Sequence, residues 1–311
     1  MTSTAAISNH LGRDVAHHAW DRELAPALTV SSGDEVSLAL RDGSNGQIVP
    51  TTKPIELHDL NMGHMDPLTG PIWVEGAKPG DVVMVDILDI KLAATGWSAI
   101  LPGLGLLSEK FPGPYVRNWT LDGPSVDIGG GHQFALRPML GVIGVAPAGF
   151  GQFSTVVPTN AGGNIDVKYV GAGSRLLLPV FTEGALLSLG DPHALQGDGE
   201  LSGTAIECEA DVTVRVELMS GLGYDAPVVE TAAVEAVEVE QFRSFLGVGP
   251  DLYVAAQEAS LRAVDALAQA MRLDPVEAYA LLGTIAELRI HEIVDRPNWV
   301  VGCMVPLRLL R

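Results

Sequence analysis

Residues 190–203, "GDPHALQGDGELSG", place the imidazole of His193, the carboxyls of Asp191, Asp198 and Glu200 and the amide of Gln196 among glycines. Neutral nitrogen and anionic oxygen are the donors that hold a divalent cation, and glycine lets the backbone close on a ligand. The plain competing reading is a mobile acidic loop. Two other stretches carry similar chemistry. In "NMGHMDPLTGPIWVEGAKPGD", from Asn61, His64 and Asp66 point the same way if the chain is extended, so both could meet one ion, although the spacing also suits a loop His bonded to a nearby acid. Glu75 lies in a turn of that stretch, where a solvated acid is the default. In "PTNAGGNID", from Pro158, Asn160, Asn164 and Asp166 are equally good turn formers and polar ligands.

These stretches need a scaffold, and the composition says which kind. The chain has 311 residues, 47% apolar and 18% charged, with 35 glycines and 5% aromatics. That profile fits a turn-rich β protein. Up to about residue 220 the chain reads as short strands between turns. Val36, Leu38 and Leu40 alternate with polar neighbours, residues 81–90 ("DVVMVDILDI") are apolar on both faces as in a central strand, and residues 140–145 and 175–179 read as further strands. After Pro250, Leu252, Ala256, Ala259, Ala263, Leu267 and Met271 recur at helical spacing. Asp274, Pro275 and Glu277 are an N-cap, a first-turn proline and a capping acid for a second helix through Leu282. Residues 288–294 suit strand or helix. The expectation is a mainly β fold with added α: a β-sandwich, jelly-roll-like core with helices concentrated in the C-terminal third. It is expected to form one unit over 1–311, β-rich over 1–250 and helix-containing over 251–311.

Charge and motif exclude several classes. A formal net charge of −19 opposes binding to a phosphate backbone, so no nucleic-acid partner is expected. The N-terminal "MTSTAAISNHLGRD" has no basic region before an apolar core, and no apolar run reaches membrane-spanning length, so no membrane partner and a cytoplasmic location are expected. There is no Gly-x-Ser-x-Gly elbow, no dinucleotide fingerprint and no phosphate-binding loop. Of the other histidines, His10, His17 and His18 read as capping or packing residues, and His58, His132 and His291 stand alone. Cys208 and Cys303 are the only cysteines. Over 204–218, Ile206, Cys208, Ala210, Val212, Val214, Val216 and Leu218 alternate with Glu207, Glu209, Asp211, Thr213, Arg215 and Glu217, which makes Cys208 a core residue of one long strand rather than a nucleophile.

In this order the segments resemble the acetamidase/formamidase family of amide hydrolases. The likeness is carried by "HMDPLTGPIWVEGAKPGDVVMVDILDI", "PGPYVRNW", "RPMLGVIGVAP", "PTNAGGNIDVKYVGAGSRLLLPVF", "GALLSLGDPHALQGDGELSGTAIE" and "AYALLGTIAELRI", which cover most of the chain from Trp20. The resemblance implies a β-sandwich with added helices, a homo-oligomer (dimer or higher), and hydrolysis of short amides such as formamide or acetamide. It also implies a divalent metal, zinc or calcium, with His64, Asp66, Asp166, His193 and Asp191 as candidate ligands. Zinc ranks ahead of calcium because imidazole suits it better. Such a cation acidifies a water and polarises a carbonyl, and a nearby carboxylate moves the proton to the leaving nitrogen. Glu200 is the first choice for that acid/base and Glu75 the second. Asn160, Asn164 and Gln196 are candidates to orient the amide or bind the oxyanion through their NH₂ groups, with Trp73 and Trp97 as walls. Where the family usually has Gly-Asp before "LRI", this chain has Ala286-Glu287, which leaves its substrate range open. Two alternatives stand: hydrolysis of a cyclic amide (γ-lactam), and a non-catalytic β-sandwich with a structural calcium site.

Overall fold

The computed structural model describes residues 9–232 and 241–311. Among them two nine-stranded sheets pack face to face. The first runs, edge to edge, through Asn9–Leu11, Glu35–Leu40, Ala210–Met219, Val82–Leu92, Arg175–Pro179, Val228–Glu230, Phe242–Gly249, Trp299–Pro306 and Glu287–Glu292. The second runs through Gly162–Asn164, Met139–Gly144, Leu187–Leu195, Ile206–Glu207, Thr95–Ile100 and Tyr115–Thr120, with Leu68–Val74 also paired to Leu187–Leu195 and carrying Ala16–His17 and Leu28–Val30.

The two-faced apolar run at 81–90 is explained by what lies on either side. From Val82–Leu92, Val83, Val85 and Ile87 enter the inter-sheet core beside Leu38, Val212, Ile143 and Leu189, while Val82 joins a second core under the helices. That second core sits between Phe245, Leu177 and Val305 of the sheet and Ala259, Ala263, Leu267, Ala278 and Leu282 of the helices. The helices are α1, Leu252–Met271, capped by the Asp251 carboxylate on the amides of Tyr253 and Val254, and α2, Pro275–Ile285, capped by Asp274. The buried stripe of α1 differs slightly from the spacing read in the sequence: Ala255 is buried and Met271 is 39% exposed. Residues 288–294 resolve as the edge strand Glu287–Glu292, because Trp299–Pro306 offers them a full antiparallel ladder.

Two expectations are corrected. Residues 190–195 are no loop: they belong to the buried strand Leu187–Leu195, paired on one side to Met139–Gly144. Residues 204–218 are not one strand either. Ile206–Glu207 pairs in the second sheet and Ala210–Met219 in the first, so the chain changes sheets at Cys208–Glu209. Alternation holds from Ala210 on, but Glu207 is buried.

Candidate metal and catalytic site

The free edge of Leu187–Leu195 has two partners. Leu187–Gly190 pairs with Leu68–Ile72, and His193–Leu195 pairs with Ile206–Glu207. Asp191 sits at that change of partner with φ 50°. Asp66, Asp166 and Glu200 share the conformation, with φ 48°, 43° and 43°. A left-handed backbone costs an L-residue about 1–2 kcal/mol, and such strain gathers at functional sites. Two glycines complete the cradle. A Cβ on Gly43 would lie 2.5 Å from Asp191 Oδ1 and 3.1 Å from Glu207 Oε2. One on Gly141 would lie 2.5 Å from Asp191 Oδ2, 2.7 Å from Asp166 Oδ1 and 3.0 Å from His193 Cε1.

At the centre, His193 Nδ1 lies 2.8 Å from Gln196 Oε1, and Gln196 Nε2 donates to the Asp166 carbonyl at 2.8 Å. The second bond fixes the amide, so Nδ1–H donates to Gln196 and Nε2 faces inward. Nε2 is 2.9 Å from Asp191 Oδ2 and 3.0 Å from Glu207 Oε2, yet no aligned hydrogen bond forms there. Asp166 Oδ1 and Oδ2, Asp191 Oδ1, Glu207 Oε2 and Asn164 Oδ1 are likewise buried without a protein partner. Donor atoms of three sets lie within 4.8 Å of one another: Asp166, Asp191 and His193; His193, Glu200 and Glu207; and Asp166, Glu200 and Asp295. Unpaired anionic oxygens converging on one imidazole nitrogen are costly in a dry interior unless a cation joins them. The residues therefore fit a divalent ion.

Protons take up part of that conflict when no ion is bound. Burial, then the neighbouring acids, push Asp66, Glu200 and Asp295 well above the carboxylate range. Burial raises Asp166 to about 7 and Glu207 to about 8. Burial alone would lower His193, but Asp191 and Glu207 hold it well above its usual value, and His193 in turn holds Asp191 down against burial. A raised carboxyl stabilises the fold fully below its unfolded pKa, and that contribution is lost as pH rises through the folded value. With a chelator present, the melting temperature should therefore fall as pH rises from about 4 to about 8, and the gap to a zinc-loaded sample should widen over that range. A pH-independent gap in thermal melts would contradict this.

The cluster forms one wall of a cavity of about 50 Å³, with Asp66, Asn164, Asp191, Glu200, Glu207 and Asp295 on the polar side. Met65, Trp97, Leu101 and Leu104 are among its apolar lining. Other residues singled out from the sequence lie elsewhere. His64 ends a 3-10 turn, Met62–His64, which breaks the extended geometry that would aim it with Asp66; it is exposed and stacks on His18 at 4.7 Å. Glu75 is exposed and accepts from Ser31 Oγ. Trp73 packs against Gly184, and Asn160 occupies a turn closed by Thr159 and Gly162. Gln196 is engaged at both ends of its amide and orients His193. Glu287, of the Ala286-Glu287 pair, is exposed on the edge strand.

Sequence reasoning missed Glu207, Asp295 and His291. Glu207 followed the alternation of a strand that in fact changes sheets, and Asp295 had only a turn-like "VDRPN" context. His291 is fully buried. Its Nε2 lies 3.2 Å from Ser244 Oγ and its Nδ1 3.7 Å from Asp198 Oδ1. That Ser–His–Asp order cannot meet a substrate, because Ser244 is fully buried as well. Cys208 is also sealed in, its Sγ 3.6 Å from the Pro192 carbonyl and its thiol raised by burial. Cys208→Ala should leave turnover within about threefold of wild type in a steady-state assay, since a buried, protonated thiol is no nucleophile.

Comparison with known proteins places the whole chain in one family. The model of the Acetamidase/Formamidase family matches residues 6–150 and 151–311. The chain is 28% identical to an acetamidase of Mycolicibacterium smegmatis, over 86% of this chain and 85% of that one. It superposes on the crystal structure of a predicted acetamidase/formamidase from Thermoanaerobacter tengcongensis with a TM-score of 0.89 and 32% identity, covering 97% and 96% of the two chains. A γ-lactamase from Delftia acidovorans is more distant, with a TM-score of 0.68 and 26% identity over 99% and 91%.

Proposed function

The chain belongs to the acetamidase/formamidase family, and from that premise we propose that it hydrolyses short linear amides to a carboxylate and ammonia in the cavity beside His193. The observation that carries the reading is the meeting of His193 Nε2 with unpaired carboxylate oxygens at the wall of a small, half-apolar cavity. One buried water needs on the order of 10–15 Å³, so this space suits a molecule of roughly three or four non-hydrogen atoms. Formamide and acetamide are that size, whereas a γ-lactam ring is larger. The cavity and the closer structural likeness to the acetamidase fold both favour the linear substrates.

His193, Asp191 and Glu207 are the residues that would hold a divalent ion, with Asp166 beside them, and an imidazole donor favours zinc over calcium. Such an ion, when bound, lowers the pKa of a water and polarises the amide carbonyl. Glu200 takes the proton of the attacking water and delivers it to the leaving nitrogen, a task that suits a carboxyl whose pKa burial has lifted. Asn164 donates through Nδ2 to Asp295 Oδ2 at 2.7 Å, which leaves its unpaired Oδ1 to accept from the substrate NH₂ group. That unpaired Oδ1 suits a primary amide, and the second Nδ2 hydrogen stays available to an oxyanion. Trp97, Leu101 and Leu104 close over the acyl group and limit its length. A homo-oligomer is supported by the exposed apolar side chains Leu107, Phe111 and Leu201 near the cavity, and among the described residues no helix is long and apolar enough to cross a membrane.

The test is ammonia release from formamide, acetamide and propionamide, with metal analysis of the same sample. Opening of a γ-lactam is followed chromatographically, because it frees no ammonia. The expected order is a kcat/KM that falls beyond acetamide. Faster opening of the lactam would overturn the assignment.

A further inference from the structure

Resting on the reading of the acid cluster as a cation site, we propose that Asp198 is a positioning residue that assembles the cluster in advance of the ion. The third donor set, Asp166, Glu200 and Asp295, comes from three chain segments far apart in sequence. Their carboxyls repel one another whenever they are ionised, and this repulsion alone would spread the segments apart. A second junction opposes it on the same three segments.

Lys168, two residues after Asp166, donates through Nζ to Asp198 Oδ2 at 2.6 Å. Asp198 stands two residues before Glu200, and its other oxygen lies 3.7 Å from Nδ1 of His291, on the segment that leads to Asp295. Arg289 NH1 approaches the same carboxyl at 3.5 Å. The backbone is tied at the same point: the Gly199 amide donates to the His291 carbonyl at 2.8 Å, and Gly199 bridges to Glu292. Three nitrogens, Lys168 Nζ, Arg289 NH1 and His291 Nδ1, thus converge on this one carboxyl from the two neighbouring segments. Asp198 Oδ1 and His291 Nδ1 face each other at 3.7 Å without an aligned hydrogen bond among the described residues, and the backbone bond from Gly199 to His291 carries that side of the junction. One carboxylate therefore cross-links the segments bearing Asp166, Glu200 and Asp295, through partners other than those three residues.

The experiment uses the full-length protein with two substitutions, Asp198→Asn and Lys168→Gln. It measures zinc affinity by competition with a chromophoric chelator, apo-protein melting, and kcat at limiting and saturating zinc. Both variants should weaken zinc by about tenfold, the lower end of the loss seen when an outer partner of a metal site is removed, because the junction bears on the ion only through Asp166; kcat should recover at saturating zinc. A simple charge effect gives opposite signs, because removing an anion weakens cation binding and removing a cation strengthens it. Tighter zinc binding in Lys168→Gln would therefore overturn the proposal, as would wild-type affinity in Asp198→Asn. Should Asp198→Asn lose its cooperative melt, Lys168→Gln alters a residue that is only partly buried and decides alone. A wild-type protein that binds no zinc would defeat the cation-site reading itself, whereas unchanged affinity in the variants defeats only the role of Asp198.

Discussion

Replacing Glu200 with Gln is expected to lower kcat by about 10²–10⁴-fold, the usual worth of a positioned proton carrier, while zinc stays bound. Gln keeps the shape and most of the packing of a side chain that is only 7% exposed, so the fold should survive. It cannot accept the proton of a water or hand one to nitrogen. Retention of zinc follows from geometry, since Asp191 Oδ2 and Glu207 Oε2 lie within 3.0 Å of His193 Nε2 without any help from Glu200. Steady-state kinetics and metal analysis on one preparation separate the possibilities. Loss of zinc together with activity would make Glu200 a ligand instead of the proton carrier. Near-normal kcat would remove it from the chemistry.

Gly141→Ala should be almost as damaging for a different reason. Gly141 lies in the strand Met139–Gly144 with an ordinary backbone conformation, so alanine creates no torsional strain. The new methyl would instead fall 2.5 Å from Asp191 Oδ2, 2.7 Å from Asp166 Oδ1 and 3.0 Å from the His193 ring. Each must move by several tenths of an ångström or more, and a metal site tolerates errors of only about 0.5 Å. We expect zinc affinity and kcat/KM each to drop by about 10²-fold or more, more than the roughly 10–100-fold typical of an outer-partner change. The apo-protein should also melt at a lower temperature, because overpacking a buried strand costs about 1–3 kcal/mol. Gly283→Ala, in α2 with open space at its Cβ, is the control and should be silent in both assays. Full activity in Gly141→Ala would show that these side chains do not act as one constellation.

Legibility of this molecule in its sequence followed the physics of each segment. Residues 175–179 and the central strand were readable because apolar side chains fill both faces of one sheet, the first helix because its apolar residues recur at helical spacing after Pro250, and the second because Asp274 caps by a local bond. Local signals failed where tertiary contacts overrule propensity. Gly190, Asp191 and Pro192 are poor strand formers, yet they lie inside Leu187–Leu195 because neighbouring strands hold them. The family resemblance placed Asp166, Asp191, His193 and Glu200 in one group and the geometry brings them together. His64 and Glu75 came with them only through nearness in sequence to Asp66. Glu207 and Asp295 were invisible because a change of sheet and a long-range return of the chain leave no periodic trace.

The left-handed backbone at Asp66, Asp166, Asp191 and Glu200 has an evolutionary consequence. On the proposed reading, selection at these positions acts twice, once on the carboxyl and once on the torsion angle. Asparagine and glycine are the replacements that lose the first without offending the second. A descendant that had abandoned amide hydrolysis but kept its architecture would carry those two residues there, and β-branched replacements would be rare, so the fossil of the active site would persist in the choice of substitute.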